Sequence, residues 1–156
     1  MITIKYTSSI GDILISASGG FITQLYFVNG RTTPPTLQPN AGFAPVLSEA
    51  VKQLDAYFAG ALRDFTLPLL PQGTPFRMNV WEALQKIPYG ETISYKALAQ
   101  NIGNPAAIRA VGGANHNNPI SIFIPCHRVI GANGKLVGYG GGLDVKEFLL
   151  RHEKNI

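Results

Sequence analysis

The periodicity of the apolar residues changes once along this chain, and the change predicts two parts with different folds. In the first 28 residues apolar and polar side chains alternate, which is typical of strands with one buried face. The alternation occupies three runs, residues 2–6, 13–17 and 21–27. Glycine-containing turn sequences, Gly11-Asp12 and Gly19-Gly20, separate the runs. The sequence therefore predicts a short antiparallel meander.

Beyond the meander the chain is rich in turn residues as far as Gly42 and then becomes helical. Four apolar residues recur there at helical spacing, Leu47, Val51, Leu54 and Phe58. Gly60 can end this helix. Alternation over 65–69 predicts one more strand. The segment 71–75, Pro-Gln-Gly-Thr-Pro, indicates a linker. We place a boundary there and predict an N-terminal lobe over residues 1–72 and a C-terminal lobe over residues 73–156.

The C-terminal lobe is predicted to consist of short helices and tight turns. A helix over 76–87 precedes a second helix, which Ser94 can cap and Gly103 can end. Asn104, followed by Pro105 at the first helical position, predicts the start of a third helix. Two short helices joined by a tight glycine-containing turn are the helix-turn-helix pattern. The fold class expected for the whole chain is α+β, a small sheet with one helix followed by a helical lobe.

The third of these helices has an unusual composition, with almost no side-chain bulk. It is built largely of Ala and Gly, and each glycine inside a helix costs on the order of 1 kcal/mol relative to alanine. Ile108 and Val111 are expected to face the core, while Arg109, Gly113 and His116 share the opposite stripe. One long cation on a surface without bulk suits a helix that enters a nucleic-acid groove. Close helix–helix packing through the glycines explains the composition equally well.

The single cysteine of the chain, Cys126, lies in a segment that favours thiol chemistry. His127 and Arg128 follow it, and adjacent positive charge is expected to lower a thiol pKa and so favour the reactive thiolate. A short buried strand over 120–124 is predicted to deliver Cys126 to its position. The competing interpretation is structural, because free cysteines are among the most buried residues and commonly act as small hydrophobes.

A final helix is predicted near the C-terminus, with Asp144 as its N-cap and Glu147 three residues later. Its apolar stripe is expected to face inward, and Glu153 lies at the edge of that stripe. A carboxylate in such a place needs a partner, and His127 is the best candidate by chemistry.

Composition narrows the classes of function. One cysteine excludes an internal disulfide and a multi-thiolate zinc site, and the three histidines do not form a cluster with ligand spacing. The N-terminus lacks a secretory pattern and no apolar run is long enough to span a membrane, so we expect a cytoplasmic protein. A reducing compartment also suits a free thiol. The net charge of +4 is weakly typical of an anionic partner.

Several motifs in a fixed order resemble the O6-alkylguanine-DNA alkyltransferases, also called methylated-DNA–protein-cysteine methyltransferases. The segment 118–129, Asn-Pro-Ile-Ser-Ile-Phe-Ile-Pro-Cys-His-Arg-Val, is similar to the family's active-site segment. Residues 87–95 and 109–114 resemble its helix-turn-helix, and residues 139–153 its substrate loop and closing helix. The first seventy residues match only in plan, a small sheet with one helix. The resemblance implies an RNase H-like N-terminal lobe and a winged helix-turn-helix-like C-terminal lobe that carries the active site.

The resemblance also implies roles for particular residues. Cys126 would accept the alkyl group, His127 would deprotonate it through a water, and Glu153 would orient His127. Asn118 would be the hinge between the recognition helix and the active-site segment. The pocket for the base would include Tyr95, Ser121, Val129, Tyr139 and Gly140. Arg109 would fill the stack after the target nucleotide is rotated out of the duplex, and the helix would enter the minor groove. Contacts to DNA would also come from Tyr95, Lys96, Asn104, Ala110 and Gly113.

Some properties follow from the resemblance only in part. Gly140 stands where relatives often carry serine, so the range of alkyl groups, and activity on O4-alkylthymine, stay open. Some relatives bind zinc through N-terminal cysteines, which this chain lacks, so no metal or other cofactor is carried over. The expected partner is double-stranded DNA containing O6-alkylguanine, and the expected state is a monomer.

Two other classes of function compete with the alkyltransferase hypothesis. A pure DNA-binding module would recognise alkylated DNA without transfer, but such relatives replace the cysteine that Cys126 provides. A Cys–His hydrolase would use the same thiol, yet it gives no purpose to Arg109 or to the helix without bulk. Transfer of a labelled methyl group from DNA separates the three.

Overall fold

The computed structural model describes residues 1–28, 44–139 and 142–154. The N-terminal lobe consists of strands β1 (Ile2–Ser8), β2 (Gly11–Ser18) and β3 (Phe21–Phe27) and helix α1 (Pro45–Phe58). The C-terminal lobe begins with α2 (Pro75–Leu84), β4 (Ile93–Ser94), α3 (Tyr95–Asn101) and α4 (Ile108–His116). A 3-10 turn (Cys126–Arg128), β5 (Val129–Ile130) and α5 (Leu143–Lys154) complete it. The predicted α+β class is confirmed.

The three N-terminal strands form the predicted antiparallel meander in the order β1-β2-β3. Ile13, Ile15 and Ala17 of the central strand face the core, as the alternation requires. A register shift between Ser16 and Ala17 bends the β2–β3 pair. Helix α1 covers this sheet with Leu47, Leu54 and other buried residues.

The outer edge of β3 binds two segments of the chain that are not strands. Ile22 donates to the carbonyl of Pro68 at 2.8 Å and accepts from Leu70 at 2.8 Å. The predicted strand over 65–69 is therefore wrong, since only an isolated bridge, Ile22 with Leu69, forms there. Prolines at 68 and 71 remove two donors that a longer ladder would need. Further along β3, Leu25 donates to Pro119 at 2.9 Å and accepts from Ser121 at 3.0 Å. The meander thus holds the active-site segment directly.

The helix-turn-helix region folds largely as predicted but begins its third helix late. Ser94 Oγ accepts from Ala97 N at 3.0 Å, and Gly103 ends α3 with a φ of +78°. Asn104 does not cap α4, because that helix starts only at Ile108 and its N-cap is Ala107, without a side-chain hydrogen bond. Residues 104–107 form turns instead, in which the fixed φ of Pro105 is equally satisfied.

Two further boundary predictions are corrected by the structure. The residues 120–124 do not form a strand: Ile120 makes only an isolated bridge with Leu25, and a turn follows over 121–123, in which Ile122 has a φ of +70°. Their apolar character reflects burial between the lobes, which a short run cannot distinguish from a strand. Asp144 lies inside the first turn of α5, because that helix begins at Leu143. Across the described residues no helix is long and apolar enough to cross a membrane.

Candidate active site

The thiol occupies the first position of a buried 3-10 turn between the two lobes. Pro125 precedes the turn, which spans Cys126–Arg128, and β5 begins at Val129. Cys126 is only 4 % exposed and His127 is fully buried. The turn is followed by parallel pairing of Val129 with Ile93, so the thiol and the start of α3 are held close together. Backbone structure on both sides therefore fixes the position of Cys126.

His127 makes the contact that the sequence predicted with the last helix. Its Nε2 lies 2.7 Å from Oε2 of Glu153, and both side chains are almost completely buried. Although burial alone would raise the pKa of the Glu153 carboxyl, hydrogen bonding and charge from His127 and Arg128 hold it well below its usual range. The carboxylate can only accept, so Nε2 carries a proton. Because burial lowers the pKa of His127, the ring is neutral and Nδ1 presents a lone pair. Within the described part of the chain Nδ1 has no hydrogen-bond partner.

Glu153 is surrounded by more donors than the His127 contact alone. Arg128 donates from Nε to Oε1 at 2.8 Å and from Nη2 to Oε2 at 3.0 Å. Tyr57 of α1 donates to Oε2 at 2.7 Å. The third nitrogen of Arg128, Nη1, donates to the carbonyl of Ile87 at 2.7 Å. All three nitrogens of the buried guanidinium are therefore hydrogen-bonded. The buried carboxylate is therefore neutralised and fully hydrogen-bonded.

The thiol pKa does not follow the expectation from its neighbours in sequence. Burial raises the pKa of Cys126 above its ordinary value, and this outweighs smaller lowering effects from Asn118, Lys146 and Ser121. The expectation of a lowered pKa is wrong because burial of the thiol has the largest effect; in addition, the Arg128 guanidinium is directed at Glu153 and Ile87. The resting thiol therefore keeps its proton and needs a base, which makes the lone pair of His127 chemically relevant.

A buried lysine supplies a positive charge that lowers the pKa of the Cys126 thiol. Lys146 of α5 is fully buried, and its ammonium donates to the carbonyls of Val129 at 2.7 Å and Val137 at 2.9 Å. Burial lowers the pKa of Lys146 to about 8, partly opposed by the charge of Cys126. Lys146 thus connects α5, β5 and the chain ahead of Tyr139, and it favours the thiolate once that forms.

Asparagine side chains connect the end of α4 to the segment that carries Cys126. Asn118 Nδ2 donates to the carbonyl of Ile124 at 2.8 Å, and its Oδ1 accepts from Ile120 N at 3.0 Å. Asn115, at the end of α4, donates to the carbonyl of Cys126 at 3.4 Å. The contacts of Asn118 close the turn 119–124, and its role as a hinge stays a prediction.

Four of the residues expected to line the base pocket lie around the turn. Tyr95, half-buried at the start of α3, donates from its hydroxyl to the carbonyl of Val137 at 3.1 Å. Val129 is fully buried and Tyr139 is 7 % exposed. Ser121, also buried, hydrogen-bonds with Cys126. Gly140 lies outside the described residues.

A cleft of about 370 Å³ between the lobes borders the thiol. Strand β3 contributes Gln24 and Tyr26, and the chain from the end of α4 contributes most of the rest. The lining residues from the C-terminal lobe are His116, Asn117, Asn118, Pro119, Ser121 and Cys126. Cys126 is therefore buried but accessible from one side.

Helix α4 presents an exposed face without bulk, and most of the expected DNA contacts lie on or beside it. Arg109, Ala110 and Gly113 are exposed on α4, and Lys96 and Asn104 are exposed on α3 and the following turn. A Cβ added at Gly113 would meet nothing within 4 Å, so helix packing does not explain that glycine. Ile108 is 42 % exposed and does not face the core as expected, because α4 begins there and its first turn projects from the lobe.

Four contacts of the site were not predicted from the sequence, those of Tyr57, of Arg128 with Glu153, of Lys146 and of Asn115. Lys146 and Arg128 carried a signal, since charged residues in apolar surroundings are expected to be paired. Tyr57 carried none, because the contact joins residues 96 positions apart. Among the described residues no group of three His, Cys, Asp or Glu side chains could hold a metal ion.

Sequence profiles of one family match nearly all of the chain. Residues 1–71 match the ribonuclease-like domain of 6-O-methylguanine DNA methyltransferase, and residues 75–155 match its DNA binding domain. The chain belongs to the 6-O-methylguanine DNA methyltransferase family. The RNase H-like character expected of the N-terminal lobe agrees with the first of these matches.

Individual members of the 6-O-methylguanine DNA methyltransferase family are similar over their whole length. A methylated-DNA–protein-cysteine methyltransferase of Methanosarcina acetivorans is 51 % identical over 95 % of each chain, and one of Mycobacterium leprae is 50 % identical over 95 % of this chain and 89 % of its own. The crystal structure of Mycobacterium tuberculosis OGT in complex with DNA has a TM-score of 0.90 at 47 % identity, covering 99 % of this chain and 94 % of that one.

Proposed function

We propose that this chain repairs DNA by moving the alkyl group of O6-alkylguanine onto Sγ of its own Cys126. The observation behind the proposal is the buried hydrogen bond between Glu153 and His127, which leaves the lone pair of His127 Nδ1 available. His127 directly follows Cys126, whose thiol stays protonated because burial raises its pKa. With a water between Nδ1 and the thiol, these residues would form the triad of nucleophile, base and orienting carboxylate. The relatives' names and the DNA-bound neighbour support the substrate.

In the proposed step, His127 takes the thiol proton, through a water as the family resemblance implies. The thiolate then attacks the alkyl carbon, so an S–C bond forms while the C–O6 bond breaks and its electrons remain on the guanine. Tyr95 would donate a hydrogen bond to the departing base, and Val129, Tyr139, Ser121 and Gly140 would line its pocket. Lys146 would offset the negative charge of the thiolate.

The alkyl carbon cannot be reached inside a duplex, so the target nucleotide would have to be rotated out. Helix α4 would enter the minor groove with Arg109 in place of the extruded base. The exposed positions Lys96, Asn104, Ala110 and Gly113 would approach the DNA backbone, and the absence of bulk at Gly113 supports this.

Each chain would act once. The product at Cys126 is a thioether, which thiol exchange cannot reopen, and the chain has no second cysteine. We further propose a monomer of two lobes, residues 1–72 and 73–156, that works in the reducing cytoplasm.

The experiment is reaction with an excess of duplex DNA that carries a labelled O6-methyl group, followed by intact-mass analysis. One added methyl per chain, located at Cys126, is the expected result. The spent protein should also melt at a lower temperature, because crowding a packed site costs about 1–3 kcal/mol. Binding without label would favour a recognition module. Removal of many methyl groups per chain without an adduct would overturn the mechanism.

A further inference from the structure

We infer that Tyr57, in the N-terminal lobe, is a positioning residue for the reaction. Its hydroxyl holds Glu153 in place and weakens the basicity of the carboxylate on which His127 depends. The inference rests on the proposed function for its biological meaning. Its geometrical basis is a set of contacts that join the two lobes.

The contact between Tyr57 and Glu153 is short, buried and directed at the functional oxygen. The Tyr57 hydroxyl donates to Oε2 at 2.7 Å, and Nε2 of His127 lies at the same distance from that same oxygen. Tyr57 is fully buried. Burial, and then the charge of Glu153, raise the pKa of Tyr57 above its ordinary value, so the hydroxyl stays protonated and always donates.

The tyrosine is itself fixed from several sides at the point where α1 meets α5. The carbonyl of Tyr57 lies 2.6 Å from Nε2 of His152. His152 stacks on Phe148 at an interplanar angle of 7°, and Phe58 packs against both rings. The Tyr57 ring also meets Phe65 at a centroid distance of 5.2 Å. A hydroxyl held this firmly can restrain the carboxylate it binds.

The direction of the electrostatic effect follows from the donors on Oε2. Tyr57, His127 and Arg128 all donate to that oxygen, so removal of one donor leaves it a stronger acceptor for the others. A stronger acceptor stabilises protonated His127 and raises its pKa. The acidic limb of the pH–rate profile would then move to higher pH, because neutral His127 is the base.

The other charged groups around this network are retained when Tyr57 changes. Arg128 and Lys146 both oppose protonation of His127, and Glu153 favours it. Tyr89 lies beside Glu153 with the guanidiniums of Arg63 and Arg128 at 5.4 and 5.7 Å from its ring centroid. The effect of the substitution can therefore be assigned to the lost hydroxyl.

The test compares Tyr57→Phe with Tyr6→Phe. The Tyr6 hydroxyl, like that of Tyr57, donates to a carboxylate, in this case that of Asp55 in α1, at 2.7 Å. This contact is exposed and lies away from the site. Each protein is assayed for methyl transfer across pH, for alkylation of Cys126 by iodoacetamide across pH, and for thermal stability. For Tyr57→Phe we expect an acidic limb about 0.5–1 pH unit higher in both assays, and therefore transfer about two- to fivefold slower at pH 6. Tyr6→Phe should retain the wild-type profile.

A second variant reverses the sign. 3-Fluorotyrosine placed at position 57 keeps the ring and the hydroxyl but donates more strongly, so the acidic limb should move to lower pH. It also serves if Tyr57→Phe does not fold. A loss of stability with an unchanged pH profile, or shifts of the same sign in both variants, would overturn the inference.

The iodoacetamide assay separates this inference from the proposed function. It needs no DNA, so it reports on Tyr57, Glu153 and His127 even if the wild-type protein transfers no methyl group. Failure of transfer with a shifted iodoacetamide profile contradicts the proposed function alone. Normal transfer with an unshifted profile contradicts the role of Tyr57 alone.

Discussion

The surroundings of Glu153 and the exposed face of α4 use opposite physical means. Glu153 is buried and receives hydrogen bonds from α1, from the 3-10 turn and from the turn before β4. On the exposed face of α4, a Cβ added at Gly113 would meet nothing within 4 Å. In the first region the protein itself satisfies the carboxylate of Glu153, and in the second the surface is left open for a partner.

Chemistry and recognition therefore have different requirements, which these two regions meet separately. Reaction needs a base held in a fixed orientation in surroundings of low dielectric, and only tertiary packing provides that. Groove binding needs a helix whose backbone can come close to DNA, and glycine and alanine provide that at a local loss of stability. Mutations should therefore affect rate without binding in the first region, and binding without intrinsic reactivity in the second.

The largest effect is expected for Cys126→Ala, which should abolish methyl transfer. Affinity for alkylated duplex should remain within a few fold of wild type, because phosphate and groove contacts hold the DNA. Transfer is measured with labelled DNA and affinity by fluorescence anisotropy. If a folded Cys126→Ala protein fails to bind as well as to react, the two regions are not separable.

Arg109→Ala should reduce repair of duplex DNA by about a hundredfold and reaction with free O6-methylguanine by much less. The arginine would replace the extruded base in the stack, and a free base needs no extrusion. The two second-order rates are compared in one assay, with the exposed Arg77→Ala of α2 as a matched control. Equal losses on duplex and free base would remove Arg109 from this role.

Glu153→Gln should lower both rate and stability. Removing one member of a buried ion pair typically costs about 3–5 kcal/mol, since the Arg128 charge remains. The transfer defect should shrink only above about pH 8.5, where the thiol begins to ionise without help, because burial raises the pKa of Cys126. A rate defect that is the same at every pH would point to damage of α5 instead.

The same variant tests the pH dependence of folding. The pKa of Glu153 is depressed in the folded protein, so its contribution is fully present above the unfolded value of about 4.3 and is lost as pH falls towards the folded value. The stability gap between wild type and Glu153→Gln should therefore narrow below about pH 4. Urea denaturation at pH 7 and pH 3 measures it, and a constant gap would contradict the ion-pair description.

The smallest effect, and the sharpest for the comparison, is expected for Gly113→Ala. A Cβ there meets open space, so stability should rise by about 0.5–1 kcal/mol from helix propensity. Duplex affinity should fall, because the added methyl keeps the helix from the DNA backbone. Asn79→Ala on exposed α2 is the control, with similar stabilisation and unchanged affinity. Unchanged affinity in Gly113→Ala would mean that DNA does not approach this face closely.

Local patterns predicted much of the fold and part of the candidate site. Alternation, turn glycines and the cap at Ser94 gave the meander and α3, because these features depend on a few adjacent residues. The same approach misplaced the start of α4 and read 120–124 and 65–69 as strands. Both of these runs are held by distant contacts, such as Leu25 with Ser121, that no local pattern encodes.

What the sequence determined by itself was the inventory of chemistry: one thiol beside a histidine, a distant carboxylate on an apolar stripe, and a helix without bulk that carries one arginine. Tertiary structure alone decided the electrostatics. It buried Cys126 and raised its pKa, turned Arg128 towards Glu153, and brought Tyr57 across 96 residues onto the same carboxylate oxygen as His127. Protonation depends on burial and on charges within a few ångströms, and those distances exist only in the folded chain.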